Sequence, residues 1–181
     1  MSIFLIRHAQ SQFNAVYDPE QPDPMIFDAR LTDLGQQQAI EAREEVQQLP
    51  VEQLIVSPFT RTLQTASLMF EDRLPVRIDA QVREQLVNSC DVGRAPDELA
   101  VDYPHLDFQH LEVRWWHDGE PDHRGFAVEP HAVLQARANA FVQLLKSQGA
   151  HSTAIVTHGN FIRAVTGVQP ANCQILQLDL S

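Results

Sequence analysis

The chain contains few cysteines and no long apolar run. Cys90 and Cys173, the two cysteines among 181 residues, cannot build a disulfide framework, so we expect both thiols to be free. No apolar run approaches the roughly 20 residues of a membrane-spanning helix. The N-terminus has neither a basic region nor an apolar signal segment. These absences predict a cytoplasmic protein with no membrane association.

Basic residues are also scarce in this sequence. Thirteen lysines and arginines stand against 24 aspartates and glutamates, which gives a net charge of −11. Proteins that bind nucleic acids or membrane surfaces usually carry a basic patch, so neither partner is expected. A hydrophobic share of 44% and a charged share of 20% are ordinary for a soluble globular protein. The length fits one domain over residues 1–181.

Three short apolar runs each lead into an arginine or a histidine. The runs lie at residues 3–8, 54–61 and 153–159. Each is typical of a buried strand followed by helix-compatible residues. Open α/β sheets bind ligands at the carboxyl ends of their parallel strands. If the three strands are parallel neighbours, Arg7, His8, Arg61 and His158 converge on one crevice.

Two arginines and two histidines around one point suit a phosphoryl group. The guanidinium of arginine is a planar fork that matches phosphate oxygens. Histidine titrates near neutral pH and serves as a nucleophile or as an acid-base group. The pattern therefore predicts that cations hold the phosphoryl oxygens while one imidazole attacks phosphorus.

Five ordered motifs extend this pattern along the chain. They are Arg7-His8-Ala9 with Ser11 and Asn14; Leu31-Thr32 with Gly35 and Gln38-Ala39; Ser57-Pro58 with Arg61-Thr62 and Gln64-Thr65-Ala66; Arg83-Glu84; and His158-Gly159. In order and rough spacing, from residue 3 to about residue 179, the chain resembles the histidine phosphatase superfamily, the phosphoglycerate-mutase-like proteins. Ala9 departs from the glycine usual in that family, and its methyl group narrows the freedom of the backbone.

Apolar strands that alternate with helices predict a doubly wound α/β domain, with a mostly parallel sheet flanked by helices. The resemblance implies the same phosphoglycerate-mutase-like fold. Thr32 is typical of an N-cap for a helix that runs to about Leu49, and a second long helix is predicted over residues 130–147. Further strands are predicted at residues 76–78 and 174–178.

Residues 85–130 break the alternation of helices and strands. The segment holds both tryptophans, Trp115 and Trp116, and many charged residues. A stretch of this length without clear strands favours a lid-like insertion that covers the active site. The alternative is surface padding whose aromatic side chains pack on the core.

The resemblance assigns phosphate binding to several of these residues. Arg7 and Arg61 would hold the phosphoryl oxygens through charge-assisted hydrogen bonds. Ser11 and Asn14 would donate neutral hydrogen bonds, although Asn14 alternatively caps or solvates a helix end. His158 would act both in catalysis and in phosphate binding, as a third cation if it is protonated.

The resemblance also assigns the chemical steps. His8 would attack phosphorus and form a phosphohistidine that water then hydrolyses. Glu84 would protonate the leaving oxygen and later accept a proton from water. Because Arg83 is adjacent, a surface ion-pair partner is the alternative interpretation of Glu84.

These roles imply a metal-independent phosphatase that acts on a small phosphorylated substrate without a cofactor. A cluster of residues with metal-ligand side chains fits no common zinc spacing, so no metal site is predicted; the cluster comprises His117, Asp118, Asp122 and His123. The alternatives are a phosphoglycerate-mutase-type transferase, a protein phosphohistidine phosphatase and a non-catalytic phospho-ligand binding module. The identity of the substrate and the oligomeric state stay open.

Overall fold

One mostly parallel sheet lies at the centre of the fold. The computed structural model describes residues 2–147 and 152–179, and within them five strands form a sheet in the order β3-β2-β4-β1-β5. The strands are β1 Ile3–Arg7, β2 Gln53–Val56, β3 Val76–Ile78, β4 Thr153–Thr157 and β5 Ile175–Leu178. β4 pairs in parallel with both β1 and β2, β3 is parallel to β2, and β5 is antiparallel to β1. The three strands that lead into the candidate site residues are therefore neighbours.

Helices cover both faces of the sheet. In the described residues they are α1 Gln12–Val16, α2 Asp33–Glu41, α3 Arg43–Gln47, α4 Thr60–Phe70, α5 Pro96–Asp102, α6 His131–Ser147 and α7 Gly159–Thr166. Ile6 of β1 packs in a core with side chains of α2 to α4, whereas Leu5 packs in a second core with side chains of α6 and α7. Successive strand residues point to opposite faces, so both faces of β1 are buried and its sequence is continuously apolar. The predicted doubly wound α/β fold is confirmed.

One predicted helix is divided in two. Thr32 caps α2 as expected, since its side chain accepts a hydrogen bond from the backbone N–H of Gly35. The prediction of one helix to Leu49 was wrong, because the regular α-helix is interrupted at Ala42. There ψ is −8°, against about −42° in a regular α-helix, so the backbone tightens into a turn. Ala42 and Leu49 still pack against the core.

The segment 85–130 contains a 3₁₀ turn at Ser89–Asp91 and helix α5, and its described residues include no strand. Trp115 is buried with its ring centre 4.7 Å from that of Phe59, the residue that precedes α4. Its indole N–H donates to the carbonyl of Arg94 at 2.9 Å. The segment is thus packed on the core beside the start of α4. Its movement as a lid stays a prediction.

No helix in residues 2–147 and 152–179 combines the length and the apolar character needed to cross a membrane. Both cysteines lie within these ranges as free thiols, as the sequence predicted. Cys90 is buried, and Cys173 is half-buried.

Candidate active site

The carboxyl ends of β1, β2 and β4 bring the predicted site residues together. Arg7 ends β1, and the backbone N–H of His8 donates to Thr157 at the end of β4 at 3.0 Å. His158 follows β4, and its ring centre lies 5.2 Å from that of His8. Arg61, in the first turn of α4, places its Nε 3.3 Å from Nε2 of His8. Sheet topology therefore produces the cluster that the three strand ends predicted.

Hydrogen bonding fixes the tautomer of His8. Its Nδ1 lies 2.7 Å from the carbonyl oxygen of Ala9, which can only accept, so Nδ1 carries the proton. Nε2 then bears the lone pair and accepts from Arg61. Burial and the charge of Arg61 lower the pKa of His8 well below its usual range. The ring is therefore neutral at pH 7 and nucleophilic at Nε2.

Ala9 fits its position without backbone strain. Its backbone N–H donates to the hydroxyl of Thr65 at 3.1 Å, and its side chain is fully buried. Among the described non-glycine residues, positive φ angles occur elsewhere: at Met25, Asp28, Glu71, Asp72 and Cys173. Because the backbone at Ala9 is not left-handed, the methyl group in place of the family's usual glycine introduces no left-handed backbone strain there.

Arg61 is held by a carboxylate to which the sequence motifs assigned no role. Nη2 of Arg61 lies 3.0 Å from Oδ1 of Asp91, and Nη1 donates to the carbonyl of Cys90 at 2.6 Å. The other oxygen of Asp91 accepts from the backbone N–H groups of Val87 and Asn88. Asp91 therefore orients the guanidinium and aims its Nε at His8. One acid among the ten in residues 85–130 gives no local signal of this role.

We expect the variant Asp91→Asn to lose about 3–5 kcal/mol of unfolding free energy, the usual cost of breaking a buried ion pair from one side. Both side chains of the pair are almost fully buried, at 2% and 6% exposure. An amide keeps only one acceptor, so its NH₂ group must face either Arg61 or the two backbone donors. Urea denaturation measures the loss.

The matched control for this prediction is Asp118→Asn, which breaks the exposed pair of Asp118 with Arg114. Exposed pairs contribute little to stability. Equal denaturation midpoints for the two variants would contradict the role given to Asp91.

His158 is oriented by Ser57, the residue that follows β2. Nε2 of His158 lies 2.7 Å from the hydroxyl oxygen of Ser57, and both side chains are fully buried. Burial lowers the pKa of His158 well below its usual range, and the charge of Arg61 adds to the effect. The ring is thus neutral at pH 7, so these surroundings do not provide the third cation. When Nε2 accepts the hydroxyl hydrogen of Ser57, Nδ1 carries the proton of the neutral ring and would meet a phosphoryl group as a hydrogen-bond donor.

Two buried nitrogens of the site lack partners. Among residues 2–147 and 152–179, buried side-chain nitrogen or oxygen atoms without a hydrogen bond are Nε of Arg7, Nε of Arg83 and Nδ1 of His158. Arg7 is otherwise anchored, since its Nη1 donates to the carbonyl of Pro170 at 2.7 Å. A buried donor without an acceptor is costly. Phosphoryl oxygens would satisfy the donors on Arg7 and His158.

Glu84 has the surroundings of an acid-base group. Its two oxygens accept from the backbone N–H groups of Gln85 at 2.8 Å and Asn160 at 3.1 Å. Burial, and then the negative charge of Asp91, raise the pKa of Glu84 to about 7. Arg83 pairs with Glu129 at 3.4 Å and not with Glu84. The alternative interpretation of Glu84, as a surface ion-pair partner of Arg83, is therefore wrong. A carboxyl group with this pKa donates and accepts protons readily at neutral pH.

Ser11 and Asn14 form a capping box at the start of α1. The hydroxyl of Ser11 accepts from the backbone N–H of Asn14, and Oδ1 of Asn14 accepts from the backbone N–H of Ser11, both at 3.2 Å. The capping alternative for Asn14 is therefore observed. These bonds use neither the hydroxyl hydrogen of Ser11 nor the NH₂ group of Asn14, so phosphate binding by the pair stays a prediction.

A comparison with known families agrees with this geometry. The sequence profile of the histidine phosphatase superfamily (branch 1) matches residues 3–177. The chain belongs to this superfamily. It is 29% identical over 198 aligned residues to phosphoglycerate mutase-like protein 1 of Arabidopsis thaliana, covering 89% of the chain and 69% of the relative. It is 28% identical over 181 residues to a probable phosphatase of Schizosaccharomyces pombe, covering 93% of the chain and 78% of the relative.

Solved structures share the fold. The mycobacterial glucosyl-3-phosphoglycerate phosphatase matches with a TM-score of 0.64 and 22% identity, over 97% of the chain and 88% of that protein. A phosphoserine phosphatase of Entamoeba histolytica, crystallised with 3-phosphoglyceric acid, matches with a TM-score of 0.62 and 19% identity, over 97% and 89%. Family membership and the phosphatase-named relatives support an enzyme with phosphatase or mutase-type activity.

The two aspartates among the residues with metal-ligand side chains in the insertion form ion pairs. Asp118 pairs with Arg114 at 2.8 Å, and Asp122 pairs with Arg124 at 2.7 Å. Across the described ranges, no three histidine, cysteine, aspartate or glutamate side chains are grouped so as to hold a metal ion.

Proposed function

We propose that the protein is a metal-independent phosphomonoesterase that works through a phosphohistidine on His8. The observation that carries the proposal is the hydrogen bond from Nδ1 of His8 to the carbonyl of Ala9. This bond leaves the Nε2 lone pair beside Arg61, in a site whose acid-base carboxyl has a pKa of about 7. Nucleophile, cation and proton donor are the three groups that metal-free transfer through histidine requires.

In the first step, Nε2 of His8 attacks phosphorus in line, the N–P bond forms, and the bond from phosphorus to the alcohol oxygen breaks. The proton of Glu84 passes to that oxygen, which leaves as a neutral alcohol. The Nε–H of Arg61, which in the free site donates to Nε2 of His8, then donates to a phosphoryl oxygen instead. The unpartnered donors of Arg7 and His158 bond the remaining oxygens.

In the second step, water attacks phosphorus and the N–P bond breaks. The Glu84 carboxylate accepts a proton from the water, and His8 regains its lone pair. Inorganic phosphate leaves, and Glu84 is again protonated for the next cycle. The pKa of about 7 suits both directions, because a group with that value exchanges protons at neutral pH without a large energetic cost.

A mutase-type reaction shares the first step and then returns the phosphoryl group to a second hydroxyl of the substrate. This second candidate function is supported by the similarity to the Arabidopsis relative, which is named phosphoglycerate mutase-like protein 1. Phosphorus NMR on 3-phosphoglycerate separates the two, since hydrolysis releases inorganic phosphate whereas a mutase yields an isomer. The raised pKa of Glu84 supports an enzyme over a non-catalytic binding module, which needs no proton donor.

Hydrolysis of p-nitrophenyl phosphate by the purified chain is expected to continue unchanged in EDTA. The arginines supply the charge that a metal ion provides in other phosphatases. Initial rates with and without the chelator measure this. Loss of activity in EDTA, restored by zinc or magnesium, would overturn the assignment.

A further inference from the structure

Two segments carry most of the negative charge of the chain. Residues 17–30 contain four acidic residues and one arginine, a net charge of −3. Residues 85–130 contain ten acidic residues and three arginines, a net charge of −7. The whole chain carries −11. Charge of one sign around a cleft sets the field that an approaching substrate meets.

Both segments lie against the phosphoryl-binding residues. Asp28 accepts a hydrogen bond from the backbone N–H of Thr60, the neighbour of Arg61, at 2.9 Å. Asp23 accepts from the backbone N–H of Ser89 at 2.8 Å, at the start of the 3₁₀ turn that holds Arg61. The two segments therefore adjoin the residues that hold and flank Arg61, through Asp23 and Asp28, which are paired with Arg124 and Arg94.

Every arginine of the two segments is paired with a carboxylate. The pairs are Arg30 with Asp102 at 3.1 Å, Arg94 with Asp28 at 2.9 Å and Asp102 at 3.0 Å, Arg114 with Asp118 at 2.8 Å, and Arg124 with Asp122 at 2.7 Å and Asp23 at 3.5 Å. A guanidinium already neutralised by a carboxylate offers little attraction to a further anion. The segments thus provide no spare positive charge for a second acidic group on a substrate.

Two of the three unpartnered buried nitrogens in the described residues lie at the carboxyl ends of neighbouring strands. Nε of Arg7 belongs to the last residue of β1, and Nδ1 of His158 belongs to the residue that follows the neighbouring strand β4. Together with Arg61, they suffice for the oxygens of a single phosphoryl group. The remaining unpartnered nitrogen, on Arg83, lies on a side chain whose Nη2 shares Glu129, at 3.4 Å, with Arg137, whose Nη2 lies 2.9 Å from the same carboxylate.

Resting on the proposed phosphatase function, we infer that the preferred substrate is a phosphate monoester whose alcohol part carries no negative charge. The site holds one phosphoryl group. A carboxylate or a second phosphate on the rest of the substrate meets acidic segments whose arginines are already engaged. Like charge in such a position suppresses binding of the wrong ligand.

Two matched pairs of substrates test the inference with the full chain. In the first pair, 3-phosphoglycerate has a carboxylate where glycerol 3-phosphate has a hydroxymethyl group. In the second pair, phosphoserine has one carboxylate more than phosphoethanolamine. We expect kcat/KM to favour the member without the carboxylate by about tenfold or more in each pair. Inhibition constants against p-nitrophenyl phosphate give the same ranking for any compound that turns over slowly.

Salt distinguishes charge repulsion from a shape effect. Screening shortens the Debye length from about 30 Å at 0.01 M to about 8 Å at 0.15 M ionic strength. The preference within each pair is expected to shrink as sodium chloride is added. A preference that is unchanged by salt would contradict the electrostatic basis of the inference.

The variant Asp122→Asn removes one negative charge and partly releases Arg124. The amide keeps the oxygen that accepts from the backbone N–H of Arg124 at 2.8 Å, so the local turn is retained. We expect the discrimination against 3-phosphoglycerate to fall by about threefold or more. The matched control is Asp72→Asn, which makes the same charge change beyond the far end of α4, and that end lies about 14 Å along the helix from Arg61. Asp72 is exposed, and its left-handed backbone suits asparagine.

The outcomes separate this inference from the proposed function. One outcome overturns the inference alone: the protein hydrolyses p-nitrophenyl phosphate, but kcat/KM is equal for the two members of each substrate pair or is higher for the member with the carboxylate. It would direct attention to Arg163, an exposed arginine on α7. Absence of phosphate release from every compound overturns the proposed function, and the inference with it.

Discussion

His8→Ala is expected to reduce turnover of p-nitrophenyl phosphate by roughly 10⁴-fold or more, since it removes the proposed nucleophile of the first step and with it the intermediate that water would hydrolyse. The fold is expected to persist, because the neutral ring of His8 contributes few of the core contacts around the sheet. Circular dichroism checks the fold, and initial rates check the activity. The matched control is His105→Ala, an exposed histidine that lies outside the candidate active site and whose loss is expected to leave turnover unchanged.

Trapping the intermediate completes this test. Wild-type protein mixed briefly with a phosphorus-labelled substrate and quenched in base is expected to carry a label that is lost in acid, as a phosphoramidate is. Peptide mapping is expected to place the label on His8, and His8→Ala is expected to carry none. Label on His158 or on any other residue would contradict the mechanism.

Glu84→Gln is expected to lower kcat on an alkyl phosphate by about 10²–10⁴-fold, the usual contribution of general acid-base catalysis. The amide keeps the size of the carboxyl group but cannot transfer a proton. Nitrophenolate leaves readily without protonation, so we expect a much smaller loss in the first step on p-nitrophenyl phosphate. Single-turnover phosphorylation isolates that step from the later attack of water. Equal losses on both substrates would mean that Glu84 acts through structure or charge.

The pH dependence gives a second measurement on the same residue. Burial and then the charge of Asp91 raise the pKa of Glu84 to about 7, against the opposing charge of Arg61, and Arg7 and Cys90 also lie within electrostatic reach. The first step needs the protonated acid, so its rate on an alkyl phosphate is expected to fall as pH rises through about 7. Glu84→Gln is expected to lose this limb of the profile. Glu112→Gln, the same change at an exposed position of the insertion, is expected to retain it.

Much of the fold and four of the site positions were predictable from local sequence. The run before Arg7 and His8 is apolar because β1 is buried on both faces, and that continuity marks a central parallel strand. Three such runs, each leading into a cationic or imidazole side chain, predicted that these side chains would converge at one edge of the sheet. The predicted helix over residues 130–147 was also recoverable, because apolar positions at helical spacing face the core.

The division of the helix after Thr32 was not predictable. Its apolar side chains keep helical spacing through Ala42, so the pattern on the buried face is the same with or without a turn there. The interruption depends on backbone angles at one residue, to which side-chain periodicity is insensitive. Boundaries of helices are for this reason less well determined by sequence than their existence.

Sequence by itself determined which residues could do the chemistry, and the tertiary structure decided what state each of them is in. The Nε2 of His8 bears a lone pair because its Nδ1 is bonded to a neighbouring carbonyl, and Glu84 has a raised pKa because it is shielded from water and lies near Asp91. His158 is neutral rather than a cation because it lies buried against Ser57 and near Arg61. Hydrogen-bond partners from distant parts of the chain depend on which strands lie side by side. Protonation depends on burial and on the sum of nearby charges, and neither quantity exists until the chain has folded.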